Sequence, residues 1–380
     1  MLNGRTLGAN HAGGLIARRT SWAMLGILLF ILLGYVVWPS LRLFDEGLNW
    51  PSLRDLFGTL SSANNRALFN SVWISLWTVV GAGTLGTTLA YLFFRFDFPL
   101  KRALVAMAAL PLALPPLVGV LAFLFLYGES GILPRGIQAI LGLTEVPFSF
   151  SGMWAVWLVH VYSMYVFFYL FCSAALQNVD RSLLEASSDL GASQFHTVRR
   201  IILPQLRPSI VSASLLVFMI SMASFTAPLL FAGTKNFLTL QIYNYKMNGN
   251  LEYSATVSVV LTLICLLFLL LIELDRRQSS TISASKGSAP TPVPVGSGAG
   301  RFFALLGALS ILTFLALPVL TIILISFVKE GSWTWQVLPQ AYTLDNYLNL
   351  FSQPDVLAPI KNSLTMATLA TAANIVFGVA

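Results

Sequence analysis

Residues 177–207 read QNVDRSLLEASSDLGASQFHTVRRIILPQLR. The stretch lies between two long apolar runs, near 151–174 and 208–232, yet it is too polar to enter a hydrocarbon layer. It is also too regular for an irregular connection. Asp180 can cap a helix that runs through Leu190, with Ser182, Leu183, Ala186 and Leu190 on one side and Glu185 and Asp189 beside them. Gly191 is suited to close that helix. A second helical stretch, Ser193 to Leu203, gathers Phe195, Val198, Ile201 and Ile202 on one face. Pro204 is expected to end it and Pro208 to begin the next apolar run.

Outward from this segment the chain is almost continuously apolar. Of 380 residues 56% are hydrophobic and 10% charged, with a mean hydropathy of +0.77, so a water-soluble surface could not be built and the bilayer must be the solvent. Runs long enough to cross the hydrocarbon core fall near 22–43, 67–94, 103–127, 151–174, 208–232, 252–273, 302–328 and 361–380. Backbone groups in lipid must be satisfied within their own segment, so the expected class is an all-α integral membrane protein with about eight transmembrane helices. The run at 22–43 follows Arg5, Arg18 and Arg19 and leads into Trp38-Pro39 instead of a small-residue cleavage site, so it is expected to remain as the first span.

The net charge of +7 forms no single patch, which argues against a nucleic-acid partner. With the N-terminus inside, the inner segments hold Arg5, Arg18, Arg19, Arg95, Lys101, Arg102, Arg181, Arg199, Arg200, Arg207, Arg276, Arg277, Lys286 and Arg301, well over half of the 22 basic residues. That bias sets the N-terminus in the cytoplasm and puts 177–207 on the same side. Cys172 and Cys265 lie in apolar runs with no metal-ligand spacing, and no metal site is expected. No G-x-x-x-x-G-K-[ST] phosphate cradle is present, and no catalytic residue is expected.

Residues 276–301, RRQSSTISASKGSAPTPVPVGSGAGR, change character to Ser, Gly, Pro and Ala and read as a flexible cytoplasmic linker. It separates a first unit, 1–275, from the start of a second, 302–380. The second appears as a repeat: an apolar span with Pro318 answers the one ending at Pro39, and Asn362-Ser363 answers Asn70-Ser71, with Gly378 and Gly86 at the same offset. The repeat is read as stopping inside or at the end of its second span, and a complete chain is expected to continue for roughly four more spans.

Glu185-Ala186-Ser187, three residues, Gly191, nine residues, Ile201, one residue and Leu203-Pro204 resemble the EAA loop of binding-protein-dependent ABC transporter permeases. Ser187 stands where that family usually has a second Ala. The resemblance covers nearly the whole chain and implies a six-span permease unit followed by the start of a second. It implies that Glu185, Ala186, Ser187, Gly191, Ile201, Leu203 and Pro204 couple the chain to two ATPase subunits. ATP would be used by those partners, this chain binding no cofactor, and a periplasmic binding protein would deliver the substrate at a bacterial inner membrane.

Ionisable groups are nearly absent from the middle of the spans; Glu129, Glu273 and Asp275 sit at span ends, which counts against an ATP-independent secondary transporter. Tyr162, Ser163 and Tyr165 in the fourth span, and Ser221, Ser224 and Thr226 in the fifth, could line a wet path or could serve helix packing. His160 reads as a packed residue. Pro111, Pro115, Pro116 and Pro228 are expected to break helices mid-span. The run after the loop, SMASFTAPLLFAGTKNFLTLQIYNYKMNGN, resembles fused two-half ferric-iron permeases. The substrate implied is ferric iron, with thiamine, aminoethylphosphonate, sulfate and polyamine permeases as relatives on the same scaffold.

Overall fold

A computed structural model describes residues 25–98, 100–278, 293–294, 299–333 and 336–379. Arg5, Arg18, Arg19 and most of the expected linker lie outside these residues. The helices are α1 (Leu25–Gly47), α2 (Trp50–Phe57), α3 (Ala63–Arg95), α4 (Lys101–Ala108), α5 (Leu110–Ala113), α6 (Pro116–Tyr127), α7 (Ile132–Leu141), α8 (Met153–Leu176), α9 (Arg181–Asp189) and α10 (Gln194–Thr197). They continue with α11 (Leu203–Met222), α12 (Thr226–Phe231), α13 (Leu238–Met247), α14 (Leu251–Gln278), α15 (Ala299–Ser326), α16 (Asp345–Ser352) and α17 (Pro354–Val379). The strands described are two residues each, Phe96–Asp97 and Val293–Pro294, paired in parallel.

Among the described residues seven helical stretches are long and apolar enough to cross a membrane, against eight expected. The run at 361–380 is helical within α17, but Asn362, Ser363, Thr365, Thr368, Thr371 and Asn374 dilute it, and it is not one of the seven. The run at 103–127 is not one rod. It breaks into α4, α5 and α6, because Pro111, Pro115 and Pro116 each lack an N–H and hold φ near their own fixed value. Pro116 opens α6 at a first-turn position, where no donor is lost.

The chain divides into two compact units. One holds the described residues up to Leu48 and those from Thr343 onward, with α16 leading directly into α17. The other, Asn49–Tyr342, is built around α8, which packs on α3 and α11 and buries Tyr162, Tyr165, Phe168 and Cys172 in the core. Small residues on α3 permit that approach: a Cβ on Gly86 would lie 2.3 Å from the Tyr165 carbonyl oxygen, and one on Gly81 would lie 2.6 Å from Val161. Within the same unit α15 packs on α6 and α4, and Tyr162 donates its hydroxyl to the Leu315 carbonyl at 2.8 Å. The Asn70-Ser71 pair has a defined role. Asn70 donates to the Asn236 carbonyl at 2.9 Å and Ser71 accepts the Leu238 N–H at 3.0 Å, satisfying an orphan donor at the start of α13.

Candidate functional site

Two features of the larger unit invite function: the polar segment after α8, and a cavity at the helix breaks.

The polar segment folds as its pattern predicts in the first half. Asp180 accepts the Ser182 N–H at 2.9 Å and starts α9. Gly191, at φ +73, donates to the Ser188 carbonyl at 2.9 Å, and Ala192 donates to Ser187 at 3.0 Å. These two bonds make a Schellman turn, whose left-handed residue favours glycine. Ser187, the position that departs from the EAA pattern, is buried and lies 2.7 Å from the Thr197 hydroxyl. An alanine there could not tie α9 to α10 in this way. Glu185 and Ala186 face outward on α9.

The second half differs from expectation. Pro204 does not end a helix and Pro208 does not begin one. α10, a π-helical turn at Val198–Ile202, and α11 run on without interruption, with Pro204 in the first turn of α11 and Pro208 inside it. The wide turn explains the continuity. Leu203 bonds five residues back to Val198 at the point where Pro204 supplies no donor, so the ladder shifts instead of breaking. The same shift rotates the apolar face. Ile202 is buried and Val198 packs on the core, Ile201 is half-buried, and Leu203 and Pro204 are exposed. Phe195, expected on the inward face, is 74% exposed, close to Leu190 in sequence at 87%.

The cavity has a volume of about 530 Å³ and lies among the α5–α6 break, α8 and the α11–α12 break. Ser163, Ser224 and Thr226 line it, as does Tyr162, whose hydroxyl is turned to Leu315. Tyr165 and Ser221 do not. Tyr165 is fully buried and donates to the Ala108 carbonyl at 2.9 Å, and Ser221 lies 3.1 Å from His160 Nδ1. His160 is the residue sequence reasoning undervalued. It is packed, as expected, but its Nε2 lies 2.8 Å from the Ser224 hydroxyl and its Nδ1 faces Thr78 at 3.5 Å, so it joins α3, α8, α11 and the cavity wall. The signal available in the sequence was a lone histidine with hydroxyl residues in neighbouring spans. Among the described residues no Asp, Glu, Lys or Arg lines this cavity. Among the described residues no cluster of three His, Cys, Asp or Glu could hold a metal ion.

A helical membrane protein with broken central spans and a capped polar loop is the class these features define. Residues 82–278 match the family of binding-protein-dependent transport system inner membrane components, and the chain belongs to that family. It is 24% identical to a probable ABC transporter permease protein, y4fN, of Sinorhizobium fredii, over 93% of this chain and 63% of that one. It is 25% identical to the putative ferric transport system permease protein FbpB 1 of Haemophilus influenzae, over 61% of this chain and 37% of that one. With the molybdenum transport system permease protein ModB of Mycobacterium tuberculosis it shares 31% identity over 51% of this chain and 73% of that one. The chain thus spans less than two thirds of the length of the first two. A chain in the crystal structure of a bacterial alginate ABC transporter, in complex with its alginate-bound periplasmic protein, superposes with a TM-score of 0.60 at 17% identity. The match covers 71% of this chain and 99% of that one, a likeness of fold.

Proposed function

We propose that this chain is a membrane-spanning permease subunit of an ABC importer, its N-terminus in the cytoplasm. A periplasmic binding protein delivers the solute, and two copies of a separate ATPase subunit drive the passage. The single observation that carries this reading is the mechanical continuity of the segment 181–222. α9 is exposed, closed by Gly191 and tied through Ser187 to Thr197, and from there one uninterrupted helical run reaches Met222, two residues before Ser224 on the cavity wall. A push on α9 passes through the Gly191 turn and the Ser187–Thr197 link into the helical run that ends beside the cavity wall. Glu185, Ala186, Gly191 and the exposed Leu190 and Phe195 offer the docking face.

Ferric iron is the substrate this reading puts first, on the strength of the Haemophilus relative's name. The cavity lining is largely apolar, its polar groups being hydroxyls and one imidazole with no carboxylate among the described residues, so selection of a hard cation falls to the binding protein and not to this wall. The test is uptake into proteoliposomes holding the permease, with and without the ATPase, supplied with binding protein loaded with ferric iron, molybdate or 2-aminoethylphosphonate. The expected result is ATP-dependent uptake of iron. Undiminished uptake without the ATPase would overturn the importer reading, and selective uptake of molybdate or the phosphonate would overturn only the choice of cargo.

A further inference from the structure

At the inner end of α3 the chain turns sharply into α4 through Leu100, a non-glycine residue in the left-handed region at φ 66. Two adjoining spaces open there, and Phe98 lines both. The first, about 620 Å³, is bounded by Asp97, Phe98, Leu100, Lys101, Arg102 and Val105. The second, about 300 Å³, is an apolar groove between the end of α3, α4 and α15, lined by Phe93, Phe96, Leu104, Gly307, Ala308 and Ile311 among others.

The two have opposite chemistry. Among the described residues the groove holds no charged side chain, and Leu104, Ala308 and Phe93 are buried along it. Among the described residues the outer space carries two cations, Lys101 and Arg102, against one carboxylate, Asp97. Lys101 gives one ammonium proton to the Phe96 carbonyl at 2.7 Å and feels the Asp97 carboxylate, its other ammonium protons having no hydrogen-bond partner among the described residues, and Arg102 is exposed. Basic side chains at the membrane boundary beside an apolar cleft between helices match a lipid with an anionic head. A free anion would have no use for the groove, and a zwitterionic lipid would gain little from the excess positive charge.

We infer that these two spaces form one binding site for an anionic phospholipid, with its phosphate at Lys101 and Arg102 and an acyl chain in the groove against Phe93, Leu104 and Ala308. The lipid would bridge the α3–α4 turn and α15. In the orientation proposed above it belongs to the inner leaflet.

The full chain, purified in detergent and delipidated, is examined by native mass spectrometry and thermal unfolding with added phosphatidylglycerol, phosphatidylcholine or inorganic phosphate. Phosphatidylglycerol is expected to remain bound severalfold more than phosphatidylcholine and to raise the unfolding temperature by several degrees, with no shift from inorganic phosphate. The double change Lys101→Gln and Arg102→Gln should abolish the preference. Gly307→Phe should fill the groove, because nothing lies within 4 Å of a Cβ built there, and should lower retention of both lipids. Equal retention of the two lipids by the unaltered chain would overturn the proposal without reference to any variant. So would a full shift from phosphate alone, or a preference that survives both sets of substitutions.

Discussion

Gly191 shows how one backbone position can be required without making any side-chain contact. Nothing lies within 4 Å of a Cβ built on it, so a substitution meets no clash, but φ +73 opposes any β-branched residue by about 1–2 kcal/mol. Gly191→Val is therefore expected to loosen the turn and reduce transport per ATP hydrolysed, with membrane insertion unchanged. Gly191→Asn, which tolerates the left-handed region, should retain most of it; coupled uptake and ATPase assays on the two variants check this. Ser187 offers a second residue-scale test. Ser187→Ala removes the bond to Thr197, while Thr197 keeps its bond to the Ser193 carbonyl, so the cost should be about 1 kcal/mol and visible as faster amide exchange across α9. At His160 the balance is different. Replacing it with Leu strands the buried Ser221 hydroxyl and frees Ser224, an expected destabilisation of about 1–3 kcal/mol by thermal unfolding in detergent.

At the scale of elements, helix approach and helix breakage dominate. α3 meets α8 through Gly81 and Gly86, and a methyl group on Gly86 would have to share space with the Tyr165 backbone. Gly86→Ala is expected to force the two helices apart at a cost of about 1–3 kcal/mol, lowering the unfolding temperature, whereas Gly119→Ala on α6, where nothing lies within 4 Å, should be nearly silent. The proline clusters behave in two ways. Pro111, Pro115 and Pro116 come close together and break the span, as the sequence implies. Pro204 and Pro208, four residues apart at the start of a helix, do not, because the π turn at Val198–Ile202 takes up the missing donor. Local rules name the residue that disturbs a helix; whether the ladder breaks or shifts depends on what the neighbouring helices hold in place.

For the whole molecule, orientation is the property most open to direct measurement. Cys172 and Cys265 are buried, so single cysteines introduced at the exposed Thr144 and Ser188 report on opposite faces. A membrane-impermeant maleimide should label Thr144→Cys in intact cells and Ser188→Cys only after permeabilisation; the reverse would invert the topology. Composition and the apolar runs of about twenty residues determined that the chain is helical and lives in a bilayer, because a run of that length satisfies its backbone across the hydrocarbon as a helix. The helix 181–189, with its Asp180 cap and Gly191 stop, was equally legible, since caps and left-handed glycines are set by residues adjacent in sequence. Tertiary structure alone decided the rest. It turned Phe195 outward, ran the second loop helix into α11, divided the polar span residues between the cavity (Ser163, Ser224, Thr226) and packing (Tyr165, Ser221), and joined His160 of α8 to α3 and α11. It also brought α15 against α4, about two hundred residues earlier in the chain, where Lys101 and Arg102 border an apolar groove. Each of these depends on which helix faces meet. Periodicity tells where a face lies on its own helix, but in a bilayer nearly every face is apolar, so the choice of partner is left to side-chain shape and hydrogen bonds between distant segments.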